Sequence, residues 1–64
     1  MNPSEYLAFE LEAEKVRLNS KITKLNLMLK KEKNSEKVFL IEETIRKIQT
    51  QIAEIDKELA RRNQ

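Results

Sequence analysis

Hydrophobic residues recur at alternating intervals of three and four through the second half of the chain. The members of this stripe are Val38, Ile41, Ile45, Ile48, Ile52, Ile55 and Leu59. Such spacing places every member on one side of an α-helix and is typical of a heptad repeat, whose a and d positions form the seam of a coiled coil. With Val38 at position a, the sequence predicts a helix over about 37–62.

The first half carries a similar stripe, with Leu11, Leu18 and Leu25 at d and Ala8, Ile22 and Leu29 at a. Lys15 interrupts it at one a position. The chain begins Asn2-Pro3-Ser4-Glu5, and an Asn before a Pro at the first helical position is a strong signal for a helix start. These features predict a first helix over about 3–31.

The two stripes do not share one register, because their heptads are offset by two residues across the polar stretch 30–37. Asn34 or Ser35 can cap a new helix there, so we expect a turn at about 32–36. Two helices of similar length joined by a short turn pack antiparallel. The predicted fold is all-α, a single antiparallel two-helix coiled-coil hairpin over residues 1–64. The alternative is a long parallel coiled coil, because the turn region contains no Gly or Pro.

Pairing a with d across an antiparallel seam gives partners whose numbers sum to 70, which centres the hairpin on Ser35. Lys15 then lies over Ile55, and we expect its ammonium group to reach Glu54 or Glu58. The predicted intrachain seam consists of Leu11, Leu18, Ile22, Leu25, Leu29, Ile41, Ile45, Ile48, Ile52, Ile55 and Leu59.

A second row of residues on the first helix points away from this seam, and we call it the outer face. It consists of Tyr6, Phe9, Ala13, Val16, Ser20, Thr23 and Leu27. One two-helix seam buries little apolar surface for the number of residues it orders. The outer face is therefore a candidate surface for a homo-oligomer or another partner, and we expect a homodimer that forms a four-helix bundle.

Charge is distributed unevenly along the predicted hairpin. Residues 15–47, the half near the turn, contain ten Lys or Arg and four Glu, a net charge of +6. The remaining residues contain three basic and seven acidic side chains, a net charge of −4. An antiparallel dimer places each basic end beside an acidic end, so this orientation is favoured.

The composition excludes several classes of chemistry. The chain has no Cys, His or Gly, which removes thiolate and imidazole catalysis, the usual zinc ligands and glycine-rich phosphate loops. We expect no enzyme activity, metal, cofactor or small-molecule substrate. Charged residues make up 38% of the sequence, with neither a membrane span nor a secretory leader, so we expect a cytoplasmic protein without a membrane role.

We therefore expect the protein to act through protein contact, as an adaptor, assembly factor or inhibitor of a larger complex. Its size is in keeping with a small regulatory protein of a phage or mobile element. The alternative is nucleic-acid binding through the lysines of the turn, since phosphate contacts need dense positive charge. The candidate contacts are Lys30, Lys31, Lys33 and Lys37. In length and hairpin form the chain resembles the ROP-type RNA-binding proteins, which dimerise into four-helix bundles. No motif carries this resemblance, so it assigns no binding residue.

Overall fold

The computed structural model describes residues 3–63, with the side chain of Ser4 excepted. It contains a 3₁₀ turn at Pro3–Glu5, helix α1 at Ala8–Lys31 and helix α2 at Ser35–Arg62. Within residues 3–63 there is no β-strand. A connection of three residues makes the helices antiparallel neighbours in a hairpin 45 Å long and 16 × 15 Å across. The all-α hairpin prediction is confirmed, and the straight parallel coil is wrong.

The core is a single row of aliphatic side chains between the helices. Leu11, Leu18 and Ile55 are at most 1% exposed, and Ile48 joins them in one buried cluster. Ile22, Leu25, Ile52 and Leu59 pack against this cluster. Full burial of one such side chain contributes about 2 kcal/mol. The seam therefore supplies the main attraction between α1 and α2.

The turn consists of three residues, Glu32, Lys33 and Asn34, so it is shorter than the predicted 32–36. The Asn34 side chain accepts hydrogen bonds from the backbone N–H groups of Glu36 (2.9 Å) and Lys37 (3.1 Å), which fixes the start of α2. Glu32 accepts one from the Asn34 N–H at 3.1 Å. Both ends of the turn have extended backbone and no described residue has positive φ, so no glycine is required.

The first helix begins later than predicted. Its start lies at Ala8, whereas the sequence predicted Pro3. Leu7 has an extended backbone, and its N–H donates to the Glu10 side chain at 2.8 Å, so Glu10 satisfies a backbone donor at the entrance to α1. The predicted capping residue, Asn2, lies outside the described residues.

The 3₁₀ turn contacts the end of α2. The Nη2 of Arg62 donates to the carbonyl oxygen of Pro3 at 3.1 Å, while the Tyr6 N–H bonds to the same carbonyl at 3.2 Å. This contact competes with continuing the helix from Pro3, because it turns the segment back across the C-terminal end of α2. The open end of the hairpin is thereby closed by the chain's own N-terminal segment.

An ion pair joins the helices where Lys15 interrupts the seam. Its Nζ lies 2.6 Å from Oδ1 of Asp56, so the expected partners Glu54 and Glu58 are wrong. Lys15 occupies an a position, and Asp56, at e, lies on the same side of the seam, whereas Glu54 and Glu58 occupy c and g on the other side. The bond to Asp56 raises the pKa of Lys15.

Candidate interaction surfaces

The seam is buried more deeply at its d positions than at its a positions. Among its hydrophobic residues, the buried ones are Leu11, Leu18, Ile41, Ile48 and Ile55 at d, and Ile45 at a. The half-buried ones are Ile22, Leu29, Val38, Ile52 and Leu59 at a, and Leu25 at d. We call the five half-buried a residues the open edge. It is the side of the core that the hairpin leaves incompletely covered.

The residues of the predicted outer face are all exposed. Phe9 and Val16 are 71% and 68% exposed, and Leu27 is 52% exposed. The Thr23 hydroxyl donates to the Asn19 carbonyl at 3.1 Å, so its hydrogen-bonding capacity is used within α1. Tyr6 precedes α1 and does not belong to its helical rows, which corrects the assumption of one continuous helix from Pro3.

The outer face divides into two rows once α1 is placed beside α2. Phe9, Val16 and Thr23 occupy b positions, which lie about 100° from the a positions around the helix. They border the open edge. Ala13, Ser20 and Leu27 occupy f positions, which point away from α2. Only the b row can therefore form a continuous apolar surface with the open edge.

The middle of this surface is electrically neutral. The e positions that border the open edge at mid-length are Asn19, Asn26 and Gln49. On α2, Ala53 and Ala60 occupy b positions and are small enough to allow close approach of another helix. Apolar side chains among neutral polar ones are a common composition for a helix-packing surface.

Each arginine of the chain forms an ion pair. Arg17 binds Glu14, Arg46 binds Glu43, and Arg61 and Arg62 both bind Glu58. The hydrogen bond from Arg17 lowers the pKa of Glu14. Hydrogen bonds from Arg61 and then Arg62 lower the pKa of Glu58 from 4.5 to about 2. Each arginine is thus bound to a carboxylate on its own helix, with Glu58 shared between two of them.

The candidate nucleic-acid contacts Lys30, Lys31, Lys33 and Lys37 are exposed, and none forms an ion pair within residues 3–63. Their placement does not create one face. Lys30 occupies a b position, on the side of the open edge, and Lys31 a c position about 100° further around α1, while Lys33 lies in the turn. The four ammonium groups therefore surround the tip of the hairpin.

A groove on the opposite side from the open edge was missed by the sequence reasoning. It has a volume of about 480 Å³, and we call it the lysine groove; its lining residues are Leu18, Lys21, Lys24, Leu25, Thr44, Lys47, Ile48 and Gln51. All eight occupy d, g or c positions. Grouping the lysines by heptad position, instead of by distance from the turn, would have revealed it.

Within residues 3–63 no polar or charged residue is buried, and no group of three or more Asp and Glu residues is placed to hold a metal ion. No helix in the described part of the chain has the length and apolar character that crossing a bilayer requires.

No protein-family model, curated protein or solved structure matches this chain.

Proposed function

We propose that this chain is a cytoplasmic, non-enzymatic helical hairpin that self-associates and acts through protein contact, as an adaptor, assembly factor or inhibitor of a larger complex. The observation that carries the proposal is the open edge, where Ile22, Leu29, Val38, Ile52 and Leu59 stay half-buried beside exposed Phe9 and Val16. Apolar surface that is continuous with a core gains free energy when a second molecule covers it.

A second copy of the hairpin fits this surface in an antiparallel orientation. At the base of the open edge, Glu12 and Asp56 outnumber Lys15, and near the turn Lys30 and Lys33 outnumber Glu42. Reversing the second copy places these opposite charges together and keeps the neutral centre in contact with itself. The product is a four-helix bundle dimer.

Sedimentation equilibrium of the chain and two variants tests this proposal. Val16→Glu places a charge on the b row and is expected to produce a monomer that keeps its helical circular dichroism. Ser20→Glu adds the same charge on the f row and is expected to leave the dimer intact. A wild-type chain that is monomeric at micromolar concentration would refute self-association, and equal effects of the two variants would refute the choice of surface.

Nucleic-acid binding is the second candidate function. It is favoured by the turn lysines, which form no ion pair within residues 3–63 and leave their charge available to phosphate. Binding to a short duplex at two salt concentrations tests it. A steep loss of affinity with salt that disappears when Lys30, Lys31 and Lys33 become Gln would support this function.

A further inference from the structure

The lysine groove combines an apolar floor with a cationic rim. Half-buried Leu25 lies on its floor together with Leu18 and Ile48, which are only 1% and 8% exposed, while Lys21, Lys24 and Lys47 lie along the two sides. Its volume of about 480 Å³ lies within the range of protein binding clefts. Water alone can solvate a row of lysines, so the lysines by themselves indicate no ligand. An apolar floor beside them suits an occupant that carries apolar and anionic groups together.

The positive charge of this side continues toward the turn. Lys31 and Lys37 occupy c and g positions there, and between residues 15 and 47 no carboxylate occupies a c or g position. None of the five lysines forms an ion pair within residues 3–63. This contrasts with the arginines, all of which bind carboxylates. An anionic partner would therefore meet uncompensated charge.

The groove lies between α1 and α2, whose axes run side by side, and such a groove has the shape that a third helix fills. Met28 and Leu40, which are 52% and 62% exposed at g and c, extend apolar surface beyond it toward the turn. A helix laid along this line places side chains at i, i+3 or i+4, and i+7 on the floor, with its flanking positions over the rim. Acidic residues at those flanking positions would meet Lys21, Lys24 and Lys47.

We propose that the lysine groove binds an acidic amphipathic helix of a partner protein. The inference rests on the proposed function, in which the chain acts through protein contact, and it adds the chemistry of the partner. The hairpin then supplies two of three helices, and the partner's apolar stripe covers half-buried Leu25 and exposed Met28 and Leu40. Charge complementarity sets the orientation and speeds association.

A second copy of this chain is a poorer occupant of the groove. On the corresponding side near the base, three of the four carboxylates are engaged, because Glu14 and Glu58 are bound by arginines and Glu10 accepts a hydrogen bond from the Leu7 N–H. Among the described residues this leaves Glu54 alone to face the lysines of another copy. Nucleic acid is also a poorer occupant, because its phosphates would leave the apolar side chains of Leu25, Met28 and Leu40 uncovered. Among the described residues, no aromatic side chain lines the groove to stack on a base.

A designed peptide provides the probe. It has three heptads with Leu at a and d and Glu at e and g, and its binding to the full chain is followed by fluorescence anisotropy at low salt. Replacing Lys21, Lys24 and Lys47 with Gln is expected to weaken binding about tenfold, since each exposed ion pair contributes modestly. A control triple, Lys30, Lys33 and Lys57 to Gln, removes equal charge outside the groove and is expected to retain near-normal affinity.

Three results would overturn the proposal: no binding of the acidic peptide, equal losses in the two triple variants, or equal binding of a peptide with Lys at e and g. A duplex DNA that binds through Lys21, Lys24 and Lys47 while the acidic peptide does not would also overturn it, in favour of nucleic acid. Circular dichroism checks that both triples stay folded. Sedimentation of the same samples separates the two claims, because a dimer that ignores the peptide refutes only this inference.

Discussion

The ammonium nitrogen of Lys15 lies 2.6 Å from a carboxylate oxygen of Asp56, across the seam between α1 and α2. This pair occupies the one interior layer in which a charged residue replaces an aliphatic one. Lys15 sends its charge toward the side that carries the open edge. The pair therefore favours one alignment of the helices while interrupting the apolar row.

Replacing Lys15 with Leu is expected to raise the midpoint of thermal unfolding by about 5 °C, because an aliphatic side chain completes the seam and an exposed ion pair stabilises little. Circular dichroism melts measure the change. Lys57→Leu, on the exposed side of α2, is the matched control and should leave the midpoint nearly unchanged. A lower midpoint for Lys15→Leu would mean that the ion pair outweighs apolar packing in this layer.

Stability is expected to fall in acid as Glu58 takes up a proton. Its pKa is lowered from 4.5 to about 2 by hydrogen bonds from Arg61 and Arg62. A carboxyl group whose pKa is depressed by folding stabilises the folded state above its ordinary pKa. That contribution is present at neutral pH and is lost as the pH falls from 4.5 to about 2.

Urea unfolding at a series of pH values measures this effect. Glu58→Gln should be less stable than the wild type at neutral pH and should show a flatter acid dependence. Glu54→Gln removes a carboxylate that forms no ion pair within residues 3–63, so it serves as the control. Parallel acid profiles for wild type and Glu58→Gln would contradict the assignment.

The start of α2 is expected to depend on Asn34. Asn34→Ala removes the acceptor for the N–H groups of Glu36 and Lys37 and should lower the free energy of unfolding by about 1 kcal/mol. Ser35→Ala changes the first helical residue and should have little effect. Chemical denaturation measures both, and a larger loss for Ser35→Ala would place the cap one residue later.

Burial predicts a sharp contrast between two leucines of α1. Leu18 is 1% exposed, whereas Leu27 is 52% exposed on the f row. Leu18→Ala should lower the free energy of unfolding by about 3 kcal/mol, while Leu27→Ala should change it by less than about 0.5 kcal/mol. Similar losses in both variants at low concentration would show that Leu27 is covered by a further contact.

The seam was predictable because it depends on helical periodicity alone. The spacing of Val38, Ile41 and Ile45 predicts a buried stripe without knowledge of the helix that packs against it. The change of heptad register near Asn34 predicts the turn. The depth of burial was not predictable, since a and d residues look alike in a repeat. Only the placement of α2 beside α1 leaves Ile22 and Ile52 half-exposed and covers Leu18 and Ile48.

The start of α1 and the partner of Lys15 were mispredicted for a related reason. Local signals at Pro3 favour a helix, but a contact from Arg62, which is distant in the sequence, competes with it. The choice of Asp56 depends on which side of the seam each carboxylate occupies. The start of α1 and the partner of Lys15 both depend on how distant parts of the chain pack together. Signals from neighbouring residues in the sequence do not give that packing.

The three-residue connection between the helices favours assembly that begins at the turn, because short loops cost less entropy to close. Leu29 and Ile41 are near neighbours along the chain, so bringing them together closes a short loop, whereas Leu11 and Leu59 must close nearly the whole chain. Assembly that spreads from the turn would reach the best-covered side chains, Leu11 and Ile55, last. Packing of Leu11 and Ile55 would then chiefly lower the unfolding rate and would change the folding rate little.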